Sequence, residues 1–285
     1  LGTISTSQQL YLDLLKRVLI RYGFETATVP YENERRGRRQ VLAAARAVLR
    51  RIDVDIHGPN PVDLEKRLEG RDWPAQAETM IGLRRLDNLQ DCIVDVLARG
   101  VPGDLIETGA WRGGATIFMR GALAALGDTN RCVLVADSFE GLPRPDEVRY
   151  PADAGDEHFT FDELAVSLEE VKANFERYGF LDERVKFLKG WFKDTLPGAP
   201  IDQLAILRLD GDLYESTMDA LVALYPKLSV GGYVIVDDYG YVDACRAAVE
   251  DYRRANGITD EVIPIDWTGV YWKRGGDPKP DRQSL

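Results

Sequence analysis

From residue 104 onward, short apolar runs alternate with amphipathic stretches, and this alternation narrows the architectures open to the chain more than any other feature. The runs are DLIETG, RCVLVADSF, RVKFLKG, LAILRLDGD and GGYVIVDDY. Between and after them the periodicity predicts helices at about 114–126, 162–178, 215–228 and 242–256, with a short helix or turn near 191–196. Strands that are apolar along nearly their whole length need both faces covered, so the alternation predicts a parallel sheet with helices on either side. Two last runs, DEVIPID and GVYWKRG, are joined only through Trp267, Thr268 and Gly269. A link that short makes a hairpin, and only antiparallel strands can be joined by one. The sheet should therefore finish on one antiparallel strand.

The first hundred residues read differently. LYLDLLKRVLIRY, 10–22, sets Leu10, Leu14 and Val18 beside Tyr11, Leu15 and Leu19 on one helical face. ENERRGRRQVLAAARAVLRR, 32–51, has an alanine-rich, helix-favouring centre and seven arginines. AETMIGLRRLDNLQDCIVDVLARG is helical until Gly100 and Pro102 stop it. The expected layout is a helical N-terminal extension over 1–100, a sheet domain over 101–274 and a frayed polar tail over 275–285. An α/β domain of this kind, with a mostly parallel, seven-stranded, Rossmann-like sheet and a final antiparallel strand, has the shape of a class I methyltransferase.

Composition decides what the domain does not bind. A net charge of −11 lacks the basic footprint that nucleic acid requires. No run of about 18 apolar residues offers a membrane span and the N-terminus has no secretory pattern, so a cytoplasmic protein is expected. Cys92, Cys132 and Cys245 fit no metal spacing and read as small buried thiols in a reducing compartment. The arginines of 32–51 read first as a solvated face paired with the acidic remainder, and second as a site for an acidic ligand. Apolar residues left exposed on the N-terminal helix point to a homo-oligomer.

Open α/β sheets bind ligands beyond the carboxyl ends of their strands. Here IETGAWRGGATIF follows the first strand with Glu107, Gly109, Gly113 and Gly114, a pattern E-x-G-x-x-x-G-G that departs from the dinucleotide fingerprint G-x-G-x-x-G. A carboxylate at the turn suits an ammonium group, which S-adenosylmethionine carries beside its sulfonium. Asp137 ends the second strand, about 30 residues on, where an acid can accept from both ribose hydroxyls or simply cap a helix. Trp191 ends the third, as an adenine stack or as a core aromatic.

The next two strands end in acids, Asp210 and Asp212 in LRLDGDLYEST and Asp237 and Asp238 in VIVDDYG. Like charges at such spacing need a counterion, and a divalent metal is the simplest. Neighbouring strands lie about 4.8 Å apart, so Asp210, Asp237 and Asp238 can converge on one hard cation, Mg²⁺ rather than Zn²⁺ because neither histidine nor cysteine is nearby. Asp212, beside the metal, can act as base toward an alcohol whose pKa the metal lowers. Its structural alternative is a helix N-cap, and that of Asp238 a turn residue. The two histidines, His57 and His158, read as surface residues.

At these residues the chain resembles the macrocin O-methyltransferase family, metal-dependent sugar methyltransferases of macrolide and aminocoumarin biosynthesis. The motifs that carry the resemblance run from DWPAQAETMIGLRRLDNLQDC through IETGAWRGGATIFMRG, ADSFEGLP, KGWFKDTLP, LRLDGDLYEST and GGYVIVDDY to DEVIPIDWTGVYWKR. It implies cofactor contacts from Thr79, Met80, Glu107, Gly109, Asp137, Ser138, Gly190 and Trp191, Mg²⁺ on Asp210, Asp237 and Asp238, and Asp212 as general base. Arg112 is a further cofactor candidate, or else a surface side chain at the helix start. Residues 24–70 look longer than the family pattern. The polar, proline-bearing loop 142–164 reads as a lid over the acceptor.

The expected activity is transfer of a methyl group from S-adenosylmethionine to a sugar hydroxyl of a glycosylated small molecule in antibiotic biosynthesis. A catechol-type methyltransferase is the main alternative. A nicotinamide oxidoreductase lacks its glycine fingerprint here, and a non-catalytic cofactor-binding protein has no use for Asp212.

Overall fold

Seven strands make one sheet in the order β5-β4-β3-β6-β7-β9-β8, and the described chain is arranged around it. The computed structural model describes residues 4–24, 63–72 and 76–276, with isolated positions between them. The strands are β3 (Asp104–Thr108), β4 (Val133–Asp137), β5 (Val185–Lys189), β6 (Leu204–Leu209), β7 (Leu228–Val236), β8 (Ile263–Pro264) and β9 (Val270–Lys273). A two-residue ribbon, β1 (Val29–Pro30) against β2 (His57–Gly58), stands apart from them. Pairing is parallel from β5 through β7; β9 is antiparallel to both β7 and β8. One strand therefore runs against the rest, as the hairpin through Trp267–Gly269 requires, and the class I methyltransferase architecture expected from the sequence is the one found.

The helices whose bounds lie within the described residues are α1 (Thr6–Leu19), α2 (Leu64–Glu69), α3 (Gly82–Ala98), α4 (Gly114–Ala125), α5 (Leu168–Arg177), α6 (Phe192–Thr195), α7 (Tyr214–Leu224) and α8 (Asp243–Ala255). They build two cores. Leu12, Leu89, Ile93, Phe118 and Phe175 pack with Ile206 on one face of the sheet. Leu196, Leu221, Val249 and Trp272 pack with Leu207 on the other. Every residue of β6 is buried because its alternating side chains enter both cores.

Two helices differ from expectation. A capping box at Ser5 and Gln8 starts α1 earlier than residue 10. Its buried face is Leu12, Leu15 and Leu19, which leaves Leu10 and Leu14 more than 60 % exposed at 65 % and 63 %. Gly121 on α4 explains the choice: a Cβ there would lie 2.6 Å from Leu15, so α4 offers a notch that only this face fills. The helix expected from 162 begins instead after Ser167, whose hydroxyl accepts from the Glu170 amide at 3.2 Å. Before it the chain makes single 3₁₀ turns at His158–Thr160 and Asp162–Leu164. The Arg-rich stretch 32–51 lies largely outside the described residues.

The sheet positions the site by its topology. Chain order moves outward from β3 through β4 to β5, then returns to the other side of β3 with β6 and β7, so a crevice opens between β3 and β6. Gly109, with φ of 84°, follows β3 at this point, and a Cβ on it would stand 1.6 Å from the carbonyl oxygen of Asp210. Only glycine lets the two strand ends come this close.

Candidate active site

A cavity of about 260 Å³ opens at the carboxyl ends of β3 to β7. Thr79, Met80, Glu107, Gly109, Asp137, Ser138, Gly190, Trp191, Asp210, Asp212, Asp237 and Asp238 all line it, so twelve of the thirteen residues singled out in the sequence converge. Arg112 is the exception. It reaches back along the outside, with its guanidinium on the carbonyl of Ala77 at 3.2 Å and over the Trp111 ring at 4.4 Å.

The half of the cavity over β3 and β4 is built by backbone. Asp137 accepts from the amides of Ala110 at 2.7 Å, Trp111 at 3.3 Å and Phe139 at 2.7 Å, so its carboxylate holds the glycine turn in place while facing the cavity. Burial raises its pKa, and those three amides oppose the rise. Ser138 spans to the carbonyl of Gly141 at 2.7 Å, which closes the next turn. Thr79 arrives from the segment before α3; its neighbour Glu78 accepts from the Gly114 amide at 2.9 Å, docking that segment on the start of α4.

The acidic half has counterions that the sequence reading did not foresee. Arg208 sits opposite Glu107 in the β3–β6 ladder, and the two side chains are hydrogen-bonded. The same guanidinium reaches Asp210 at 2.8 Å and also bonds Asp237. Arg85, from α3, bonds Asp237 and lies 3.1 Å from Asp266. Both arginines are buried, Arg208 to 1 % exposure. The expectation that a divalent metal is the simplest counterion for these acids is thus corrected in part: guanidinium groups already neutralise some of them.

They do not do all of it. Glu107, Asp210, Asp212, Asp237, Asp238 and Asp266 are six carboxylates against the two guanidiniums of Arg85 and Arg208, an excess of four negative charges when all are ionised. Burial pushes Glu107 up to about 8, Asp210 to about 6 and Asp212 to about 7, and neighbouring carboxylates add to each rise. Asp238 is pushed well above the carboxylate range for the same reasons. Among the described residues, Oδ2 of Asp238 and Oε2 of Glu107 are buried without a hydrogen-bond partner. Unpaired buried carboxylate oxygens are costly, and these two face the cavity.

One oxygen from each of Asp210, Asp237 and Asp238 lies within 4.8 Å of the others. An all-oxygen set of this kind fits a hard divalent cation. Asp212 stands beside it and is not the helix cap. The first amides of α7, at Tyr214 and Glu215, are instead accepted by Asp153 at 2.6 and 3.1 Å, from the loop 142–164. Asp212 has φ of 55°, a left-handed backbone that aims its side chain into the cavity, and Trp111 and Phe139 share that conformation after β3 and β4.

His158 is a second correction. It lines the cavity rather than the outer surface, with Nδ1 2.6 Å from Asp156 and close enough to Asp212 for a positive imidazole to lower that carboxyl's pKa. His57 lies in the short ribbon. Arg85, Arg208, Asp153 and His158 were not identified from sequence. Only Arg208 left a signal there, as the single charge inside the run LAILRL.

Comparison with known proteins places the chain in a family. The family described as Macrocin-O-methyltransferase (TylF) matches residues 8–274, including the stretch 24–70 that looked additional to it. The chain is similar to the 8-demethyl-8-(2,3-dimethoxy-alpha-L-rhamnosyl)-tetracenomycin-C 4'-O-methyltransferase of Streptomyces olivaceus, 53 % identical over 94 % of this chain and 93 % of that one. It is 59 % identical to the demethyldecarbamoylnovobiocin O-methyltransferase of Streptomyces niveus, over 74 % of this chain and 80 % of the relative. The solved structure of the O-methyltransferase NovP is 50 % identical and superimposes with a TM-score of 0.80, over 94 % of this chain and all of that one. A strand-end acidic site on this sheet and matches along almost the whole chain lead to one conclusion: this protein is an O-methyltransferase and belongs to the macrocin O-methyltransferase family.

Proposed function

We propose that the protein transfers a methyl group from S-adenosylmethionine to a hydroxyl of a sugar carried by a glycosylated natural product, with Mg²⁺ in the site. The convergence of Asp210, Asp237 and Asp238 beside Asp212 carries the reading. The sugar class is supported by relatives named for a rhamnosyl tetracenomycin-C and for demethyldecarbamoylnovobiocin.

The cofactor supplies an electrophilic methyl group on sulfur, and Mg²⁺ on the three aspartates supplies a site for neighbouring hydroxyls and lowers the pKa of the one that reacts. Everything else falls to the chain. Oε2 of Glu107, buried and lacking a partner, would receive the cofactor's ammonium, and the added positive charge would bring Glu107 down from about 8. Asp137 and Ser138 fix the turns against which the nucleoside lies, and Trp191 offers its ring beside Gly190. Asp212 takes the proton from the acceptor hydroxyl. In the metal-free protein burial and Asp210 raise its pKa to about 7, against about 4 for an exposed aspartate; a cation on the neighbouring acids would lower it, as it would the pKa of the reacting hydroxyl. Arg208 holds Glu107, Asp210 and Asp237 together, so the cofactor end and the acidic end are fixed relative to each other. The loop 142–164, stapled to α7 through Asp153, excludes water from the reacting pair.

The experiment is turnover with labelled cofactor on a panel of glycosides, before and after EDTA. Loss of transfer on chelation and its return with Mg²⁺ are expected. Undiminished transfer after complete chelation sinks the metal assignment, and methylation of free catechols in preference to glycosides sinks the acceptor class.

A further inference from the structure

Tyr241 and Trp267 form an aromatic step at the mouth of the cavity that neither the cofactor nor the acidic cluster uses. Their rings meet edge to face at 5.3 Å between centroids, and both line the cavity. The step is built onto the acidic end by backbone. The amide of Tyr241 donates to the carbonyl of Asp238 at 3.1 Å, and the hydroxyl of Thr268, next to Trp267, donates to the carbonyl of Asp237 at 2.9 Å. Gly240 lets the two loops touch, since a Cβ there would lie 2.6 Å from the Trp267 carbonyl.

The indole is fixed, while the phenol is not covered. Trp267 donates from Nε1 to the carbonyl of Glu69 at 2.9 Å, and the Arg71 guanidinium lies 4.6 Å from its ring centre. Tyr241, by contrast, is 68 % exposed, although it stands within four residues of Asp237, which is 4 % exposed. Burial of a tyrosine ring on folding does not explain such a side chain. Its position does: Tyr241 lines the cavity that also holds the buried aspartates and follows Asp237 and Asp238 closely in the chain, so it stands where a group attached to a sugar seated on those acids can meet it.

We infer that Tyr241, braced by Trp267 and Arg71, is the contact surface for the apolar or aromatic aglycone of the acceptor, and so determines which glycosides the enzyme accepts. The inference rests on the proposed sugar methyl transfer and extends it from the reacting hydroxyl to the group at the other end of the glycosidic bond. Aromatic rings in a binding cleft give large contact area at small entropic cost, with the polar groups deeper in the site fixing orientation. The acidic cluster selects hydroxyls; the step selects what carries them.

The test is calorimetry on the full chain with S-adenosylhomocysteine and Mg²⁺ present, using methyl and 4-nitrophenyl α-L-rhamnopyranoside as probes. The nitrophenyl glycoside is expected to bind at least tenfold more tightly than the methyl glycoside. Tyr241→Ala should remove most of that gap and leave the methyl glycoside within about twofold, while Tyr241→Phe keeps it. Trp267→Phe, which deletes the bond to Glu69, should weaken the nitrophenyl glycoside several-fold and serves as second probe if Tyr241→Ala lowers the melting temperature. Equal affinity of the wild type for both glycosides, or a gap that survives Tyr241→Ala, overturns the inference. S-adenosylhomocysteine binding is read from the same samples: its absence in the wild type overturns the methyl-transfer reading itself, whereas its presence with equal glycoside affinities overturns the aglycone surface alone.

Discussion

Asp212 illustrates how much one residue's surroundings decide. Its carboxyl is pushed up to about 7 by burial and by Asp210. Asp212→Asn keeps the shape and removes the proton acceptor, so kcat should fall by about 10²–10⁴ with cofactor affinity unchanged, as steady-state rates and calorimetry would show. The same shifts fix a pH dependence. Glu107, Asp210 and Asp212 have folded pKa values of about 8, 6 and 7, above those of the unfolded chain. Below about pH 4 both states hold these protons; from there to about pH 8 the unfolded chain releases protons that the fold retains, so stability declines as pH rises. Asp95, lowered to about 2, works in the opposite sense but below this window. Differential scanning fluorimetry of the metal-free protein should show a melting temperature lower at pH 8 than at pH 5, and added Mg²⁺ should recover more of it at pH 8. The acids themselves were legible because each ends an apolar run. Their guanidinium partners were not, since that Arg208 stands across from Glu107 is a matter of strand register and that Arg85 reaches Asp237 a matter of how α3 crosses the sheet.

Among the elements, the length and polarity of the loop 142–164 suggest a lid, while its fastening to α7 leaves no signal in the sequence. Asp153 caps α7 from 61 residues away, and N-cap signals are read only from adjacent sequence. Asp153→Ala should cost about 1 kcal/mol and free the loop, detected as a greater increase in proteolytic cleavage between 142 and 164 than so small a loss of global stability accounts for. The α1 face was misread for a related reason. Several overlapping stripes of leucine and valine satisfy helical spacing, and the notch at Gly121 selects the one containing Leu15. Lys16 joins that face, buried because Asp13 and Asp87 pair with it at 3.0 and 2.5 Å. In the sheet, by contrast, the central strands β3, β4 and β6 were plain from sequence, because a strand buried on both faces has no polar alternative.

For the molecule as a whole, the first hundred residues and the sheet domain are not separable on the described residues. Arg85 ties α3 to β7 and to the β8–β9 hairpin, and Trp267 ties that hairpin to the end of α2. Arg85→Met should destabilise the protein by about 3–5 kcal/mol, since it strips the buried Asp266 of its guanidinium and leaves Asp237 with Arg208 alone. Urea unfolding would register this as a lower midpoint, and Mg²⁺ should offset part of the loss. No helix among the described residues is long and apolar enough to cross a membrane.

Trp111, Phe139 and Asp212 adopt a handedness that non-glycine residues avoid, at about 1–2 kcal/mol apiece. All three follow strands on the same rim. Anyone screening for heat-hardened variants will therefore be drawn to this rim, where glycine or asparagine relieves tension, and will collect sturdier proteins that turn over more slowly. Durability in this scaffold is better sought at the opposite end of the sheet.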